Sequence, residues 1–306
     1  MKIAVLTKST LADAVQRKNL LKALAKVRDF CIVELGAGEE IPADADRVLA
    51  FGGDGTMLDA AVRCARRDIP LVGVNLGNLG FLTQFDAEAS PKNVEAALRS
   101  SAVNRRMLIS CRCDCKEYLA LNDVVVKSAS TRPISVELYV NGKFADSYRS
   151  DGVIVATPTG STAYSLSAGG PVVSPDLDAF VVNPVCPHTL HSRPLVIGAA
   201  SEVELRIIGG DAGQLVIDGA TPAALGEHSA VQVVRAGVTA PFVKVGEDGF
   251  YEKLLDKMNR WGTTPTEVNG EWEEKRVSSR FSSSSPKTTS TRRKSSSSGL
   301  PTKALP

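Results

Sequence analysis

The chain has 306 residues, 43% of them hydrophobic and 23% charged, with 36 Lys and Arg against 34 Asp and Glu and only 3 His. A chain of this length buries roughly 75% of its unfolded surface as one large domain or two ordinary ones, so it needs no disulfide or metal staple. All the acid lies before residue 275, where 28 basic residues face 34 acidic ones, and eight basic residues follow with no acid among them; the near-neutral total argues neither for nor against nucleic acid, and no specific nucleic-acid partner is expected.

Cys31, Cys64, Cys111, Cys113, Cys115 and Cys186 follow no secretory leader pattern and read as reduced thiols of a cytoplasmic protein. No apolar run approaches the roughly 20 residues that span a bilayer, so no membrane partner is expected.

In chain order, Met1–Thr7 reads as a buried strand and Leu11–Phe30 as a helix, with Leu20, Leu21, Leu24 and Val27 at helical spacing. Cys31–Leu35 and Asp46–Phe51 are further strands, the latter running into Gly52-Gly53-Asp54-Gly55-Thr56 before a helix over Met57–Arg67. Ile69–Val74 is a fourth strand and leads into Asn75-Leu76-Gly77-Asn78-Leu79-Gly80-Phe81-Leu82. This alternation predicts a Rossmann-like α/β amino-terminal domain over 1–104, its parallel sheet covered on both faces and its ligand loops at the carboxyl ends of the strands. Ser90–Ser101 is a helix opened by Pro91.

From about Arg106 to Val245 the segments shorten, alternate and fill with Val, Ile and Thr, and Asn141-Gly142 marks a hairpin. These residues predict a β-rich carboxy-terminal domain over 105–262, with a helix near Ala163–Leu166 and a returning helix over Gly249–Trp261 striped by Phe250, Leu254, Met258 and Trp261. Residues 263–306 are read as a disordered tail: Ser278–Ser298 holds eleven serines, five basic residues and no acid.

The motifs carry the chemistry. In Gly52-Gly53-Asp54-Gly55-Thr56, glycines let a backbone approach a ligand and the helix N-terminus offers N–H groups to phosphate. Asp54 repels phosphate unless it holds a metal or takes a proton from an attacking hydroxyl; the bland alternative is a turn with Asp54 as N-cap. Asn122-Asp123 interrupts the apolar run Leu119–Val126, suiting either a nucleotide's adenine edge and ribose or a simple bulge. Asp151-Gly152 opens a strand that ends in Pro158–Gly170, a loop of hydroxyls, glycines and one aromatic face that suits a nucleotide. Cys111, Cys113 and Cys115 alternate as core thiols on one strand face, and the few histidines offer no direct metal-ligand cluster.

These motifs together resemble the NAD kinase family: the Gly-Gly-Asp-Gly-Thr loop, the run Gly73–Thr83, Asn122-Asp123, Arg149–Pro171, Pro187–Leu190 and Arg193–Leu195, in order over about residues 1–262. The resemblance implies transfer of a phosphoryl group from ATP or polyphosphate, with a divalent ion such as Mg²⁺, to the 2′-hydroxyl of the adenosine ribose of NAD, giving NADP. It implies Asp54 as the base, and Gly52, Gly53, Gly55 and Thr56 around phosphate and nucleotide. It implies NAD contacts from Asp54, Gly55, Asn122, Asp123, Asp151 and the run Thr162, Ala163, Tyr164, Ser165, Leu166 and Ser167, with Tyr164 stacking. Arg132, Arg149 and His188 are expected to reach the nucleotide, and the molecule is expected to be a homodimer or homotetramer. The rivals are a lipid or sphingoid-base kinase, which the polar 158–170 loop disfavours, and a non-catalytic NAD(P)-binding sensor, which would have lost Asp54. One departure stands out: the family often has Gln after the late Asp-Gly pair, where this chain reads Asp218-Gly219-Ala220.

Overall fold

A computed structural model describes residues 1–36, 38–77, 80–189, 191–246, 249–255, 266–268 and 271–273. The chain falls into two units, Met1–Leu254 and Leu255–Pro306.

The first unit begins with β1 (Lys2–Thr7), α1 (Val15–Leu24), β2 (Cys31–Glu34), β3 (Arg47–Phe51), α2 (Asp54–Ala65), β4 (Leu71–Val74) and α3 (Pro91–Arg99). The strands run parallel in the order β2-β1-β3-β4. Their apolar runs are continuous because helices cover both faces. Alternate residues divide between those faces: Ala4, Val48 and Ala50 meet the Met57–Ala61–Cys64 side of α2, whereas Ile3, Leu49 and Val72 meet Leu20 and Leu24 of α1 and Val94 and Leu98 of α3. Pro91 opens α3 as its sequence predicts, and Ser90 is its N-cap, Oγ accepting from Asn93 N at 3.3 Å.

The remainder is β-rich: β5 (Val103–Cys113), β6 (Lys116–Ala120), β7 (Asp123–Ser128), β8 (Ile134–Val140), β9 (Lys143–Ser150), β10 (Gly152–Ala156), α4 (Tyr164–Ser167), β11 (Ala179–Val185), β12 (Leu195–Gly198), β13 (Val203–Gly209), β14 (Gly213–Ile217), β15 (Ala220–Leu225) and β16 (Ala230–Val243). Asn141 and Gly142 both take left-handed φ, +51° and +73°, at the β8–β9 hairpin that their sequence predicts. The long β16 pairs antiparallel with β5 and β13 and parallel with β4 through Phe242 and Leu71, so the parallel sheet continues into an antiparallel one. A second, six-stranded sheet runs β12-β11-β10-β7-β14-β15. Val124, Val126, Leu138, Val153, Phe180 and Leu205 belong to the core that the two sheets share.

Three sequence expectations need adjustment. Cys111 and Cys113 are buried on β5, as expected of core thiols, and burial raises the Cys111 thiol to about 12; Cys115, however, lies past the end of the strand, beyond a left-handed Asp114, and is exposed. The returning helix is described only over 250–255, where the Lys253 ammonium donates to Thr83 O at 2.9 Å; Met258 and Trp261 lie outside the described residues. So does most of the 263–306 stretch. Within it, β17 (Thr266–Val268) and β18 (Glu271–Glu273) pair antiparallel. The intervening Asn269-Gly270 is a hairpin signal that a reading of composition alone passes over.

Candidate functional site

The Gly-rich loop follows β3 directly. Gly52 N donates to Val74 O at 3.0 Å, docking the loop on the end of β4. Gly53, not Asp54, is the N-cap of α2. Asp54 is instead the first helical residue, where its charge complements the helix dipole. Its two carboxylate oxygens accept the backbone N–H groups of Phe81 and Leu82, each at 3.1 Å, so the loop after β4 clasps it. Two glycines are needed for this packing: a Cβ on Gly52 would sit 2.2 Å from Thr56 Oγ1, and one on Gly80 1.9 Å from Asp54 Oδ1. A Cβ on Gly53 or Gly55 would meet nothing within 4 Å. Gly52 and Thr56 therefore serve each other, whereas Gly53 and Gly55 leave the helix N-terminus open to a phosphate.

Asn122-Asp123 sits where the chain leaves one sheet for the other, between β6 and β7. The interruption of the apolar run is thus a corner between sheets rather than a bulge within a hairpin. Asp123 is 5% exposed, and its side chain accepts no hydrogen bond among the described residues. Burial first, and the neighbouring Asp218 second, raise its carboxyl to about 7. Asp218 is also pushed up by burial, against the pull of the N–H groups of Leu121, Asn122 and Asp123 that it accepts. A buried carboxyl with a perturbed pKa and no hydrogen-bonding partner among the described residues makes this corner a candidate binding site.

From that corner a wall of side chains runs along two paired strands. Asp123, Val125 and Lys127 alternate along β7, and the register sets Val125 beside Val216 and Lys127 beside Gln214 on β14. These residues line a cavity of about 400 Å³, acidic at one end, apolar in the middle and carrying a cation and an amide at the other. Ala163, Tyr164 and Leu58 also line it, Leu58 lying one turn beyond Asp54 on α2. Tyr164 is 40% exposed. Burial, then Cys186, Asp151 and Asp123, raise its phenol, so the ring stays neutral beside these groups.

The structure therefore gathers Asn122, Asp123, Ala163 and Tyr164 on one cavity, with Asp151 near Tyr164. The other expected contacts are placed differently. Thr162 is buried and donates to Thr159 O at 3.2 Å. Ser165 is fully buried, its carbonyl accepting from Asn183 Nδ2 at 3.0 Å and its hydroxyl without a hydrogen-bond partner among the described residues, so the Thr162 hydroxyl and the Ser165 carbonyl hold the loop. Leu166 and Ser167 continue α4. Arg149 and His188 are exposed and joined by His188 N donating to Arg149 O at 2.8 Å. Arg132 is exposed in the turn after β7. None of these three lines the cavity.

Sequence reasoning missed Lys127, Gln214 and Asp218. Lys127 was legible as the next alternate residue after Val125. Asp218 and Gly219, with φ of +47° and +85°, form the tight β14–β15 turn that their dipeptide signals. Ala220 is exposed, while the neighbouring Thr221 lines the cavity. Among the described residues no group of three or more His, Cys, Asp or Glu is placed to hold a metal. Mg²⁺ carried chiefly by phosphate oxygens asks one or two carboxylates of the protein at most, and Asp54 at the head of α2 is a carboxylate of that kind. Among the same residues no helix is long and apolar enough to cross a membrane.

Comparison with known proteins bears on this geometry. Residues 4–102 match the model of the ATP-NAD kinase N-terminal domain, and residues 121–245 that of the ATP-NAD kinase C-terminal domain. An NAD kinase of Desulforamulus reducens is 40% identical over 230 residues, covering 72% of this chain and 80% of the relative. One of Lachnospira eligens is 36% identical over 278 residues, covering 84% and 93%. The crystal structure of an NAD kinase from Archaeoglobus fulgidus in complex with ATP superposes with a TM-score of 0.74 at 29% identity, covering 84% of this chain and 98% of that one. Yeast NADH kinase complexed with NADH shares the fold, with a TM-score of 0.76 at 22% identity over 88% and 90%.

Proposed function

The chain belongs to the NAD kinase family, and on that premise we propose that the cavity walled by β7, β14 and the 158–170 loop takes the adenosine of NAD, with Asp54 as the base for the accepting hydroxyl. The enzyme is a phosphotransferase that uses ATP and forms NADP from NAD. The observation that carries the site assignment is Asp123, a buried carboxyl without a hydrogen-bond partner among the described residues that faces the cavity.

Each group has a task its chemistry fits. Asn122 offers a donor and an acceptor to an adenine edge, and ionised Asp123 accepts from ribose hydroxyls. The neutral ring of Tyr164 and the apolar stretch of Val125 and Val216 suit the flat base. The Asp54 carboxylate, oriented by the Phe81 and Leu82 N–H groups, is the acceptor for the hydroxyl proton. Fixing that carboxylate supplies positioning, the largest part of what phosphoryl transfer asks of a protein. The open backbone at Gly53 and Gly55 receives donor phosphates. A divalent ion, when bound, neutralises phosphate charge, with Asp54 the protein carboxylate at that loop. Gln214 and Thr221 supply the polar contacts that Ala220 lacks. Arg149 and His188 are exposed and outside the cavity lining, and are assigned no contact with the adenosine.

The same reading extends to a cytoplasmic homodimer or homotetramer and to the division 1–104, 105–262 and 263–306. Six unpaired thiols are consistent with a reducing compartment. The test is NADP formation from NAD and Mg²⁺ with ATP, beside an arm in which polyphosphate replaces ATP and one in which EDTA removes the metal. NADP with ATP and none with EDTA is expected; product in the polyphosphate arm would widen the donor range. Protein that binds NAD yet forms no NADP in any arm would overturn the catalytic assignment.

A further inference from the structure

The corner at residues 121–123 is held in an unusual way. Asp218 Oδ2 accepts Leu121 N at 2.7 Å, and Oδ1 accepts Asn122 N at 2.8 Å and Asp123 N at 3.1 Å. Asp218 N in turn donates to Asp123 O at 3.1 Å. On the other side Thr157 Oγ1 donates to Leu121 O at 2.6 Å, and Thr157 N donates to Asn122 O at 2.8 Å. All six backbone N–H and C=O groups of Leu121, Asn122 and Asp123 are thus met by two residues, one 36 and the other up to 97 positions away in sequence.

Thr157 also accepts Gly160 N at 3.0 Å, which ties the corner to the loop carrying Ala163 and Tyr164. Gly160 packs so closely that a Cβ there would lie 2.0 Å from Asn122 O. Both walls of the nucleotide cavity therefore take their position from the same three peptide units.

A corner between sheets can be closed with ordinary backbone bonds, and placing a carboxylate in a buried site carries a desolvation cost. What the carboxylate adds is direction: three N–H groups aimed at one carboxyl leave the peptide planes no freedom, and the Asn122 and Asp123 side chains follow. We propose that Asp218 and Thr157 are positioning residues for nucleotide binding, which fix the Leu121–Asp123 corner so that Asn122 and Asp123 are presented to NAD. This inference rests on the assignment of Asn122 and Asp123 as NAD contacts.

The test uses the full chain with Asp218→Asn, Thr157→Val and Thr157→Ser, beside Asn122→Ala as the direct-contact control. Asp218→Asn keeps the size of the side chain but replaces one of its acceptor oxygens with a donor that faces a peptide N–H. The KM for NAD is expected to rise about tenfold or more in Asp218→Asn and Thr157→Val. The dissociation constant of NADP should rise in parallel, while the KM for ATP stays within about twofold of its starting value. Thr157→Ser, which keeps the hydroxyl, restores the NAD KM. A folded Asp218→Asn or Thr157→Val with unchanged KM for NAD would overturn the proposal. So would a loss confined to kcat in step with the folded fraction, or failure of both variants to fold, since either outcome would show that the bonds hold the fold and not the site. An Asn122→Ala enzyme with unaltered NAD affinity, beside clamp variants that lose it, would count against the Asn122 contact and leave the clamp standing.

Discussion

Asp54 opens a helix and Asp123 opens a strand, and their surroundings prepare the two carboxylates for different work. Asp54 is held by two peptide N–H groups at an open helix N-terminus, the setting of a base. Replacing it with Ala removes the proton acceptor but little binding surface. Turnover is expected to fall by roughly 10²- to 10⁴-fold with NAD affinity, read by calorimetry, largely kept; unchanged turnover would remove Asp54 from the mechanism. Asp123 is buried and its carboxyl is raised from 3.8 to about 7. Between those two values the folded state holds a proton that the unfolded chain has released, so Asp123 favours folding at low pH and that contribution is lost as pH rises toward and past 7. The melting temperature should therefore fall more between pH 5 and 8 in the parent than in Asp123→Asn. The KM for NAD should move the other way, falling over pH 6 to 8 as the carboxylate proposed to accept ribose hydroxyls forms, and Asp123→Asn should flatten that profile. At this scale Asp54 and Asp123 were legible because a charged residue among glycines or in an apolar run needs a reason. Asp218 was not, since an Asp-Gly turn accounts for itself locally and its carboxylate meets peptides far away in sequence.

The loops that join the elements set the site, and two of their glycines separate catalytic from structural effects. Gly80→Ala drives a methyl into the end of the Asp54 side chain, which can swing away. Activity is expected to fall at least tenfold with the melting temperature little changed, and a parallel fall of both would contradict this account. Gly160→Ala meets the Asn122 carbonyl, part of a fixed peptide. It should cost roughly 1–3 kcal/mol of stability in denaturant melts together with NAD affinity. The elements were largely readable in advance. Continuous apolar runs marked the parallel strands, helical spacing marked α1, Pro91 marked the start of α3, and Asn141-Gly142 marked its hairpin. Helix limits were less so: α2 begins at Asp54 rather than Met57 because glycine can cap a helix without a side-chain signal. The Asn122-Asp123 corner was read as an interrupted strand because a switch between sheets has no sequence pattern of its own.

At the scale of the molecule, the unit Met1–Leu254 contains the whole cavity and the Asp54 loop. Residues 275–306 are serine-rich and basic, with too little apolar surface to contribute a core. Their removal is expected to leave kcat, KM and the melting temperature within experimental error, and a marked drop in any of them would give the segment a structural part. The amino-acid order by itself determined the α/β start, the β-rich continuation, the glycine-rich turn after β3 and the family, because periodicity, turn chemistry and short motifs are local properties. Only the tertiary structure decided that β16 carries the parallel sheet into the antiparallel one through Phe242 and Leu71, that Lys127 and Gln214 share a wall with Asp123, and that Asp218 and Thr157 grip one corner. Those pairings join residues up to 171 positions apart, and they follow from strand register and sheet order, which exist only once the sheets have formed.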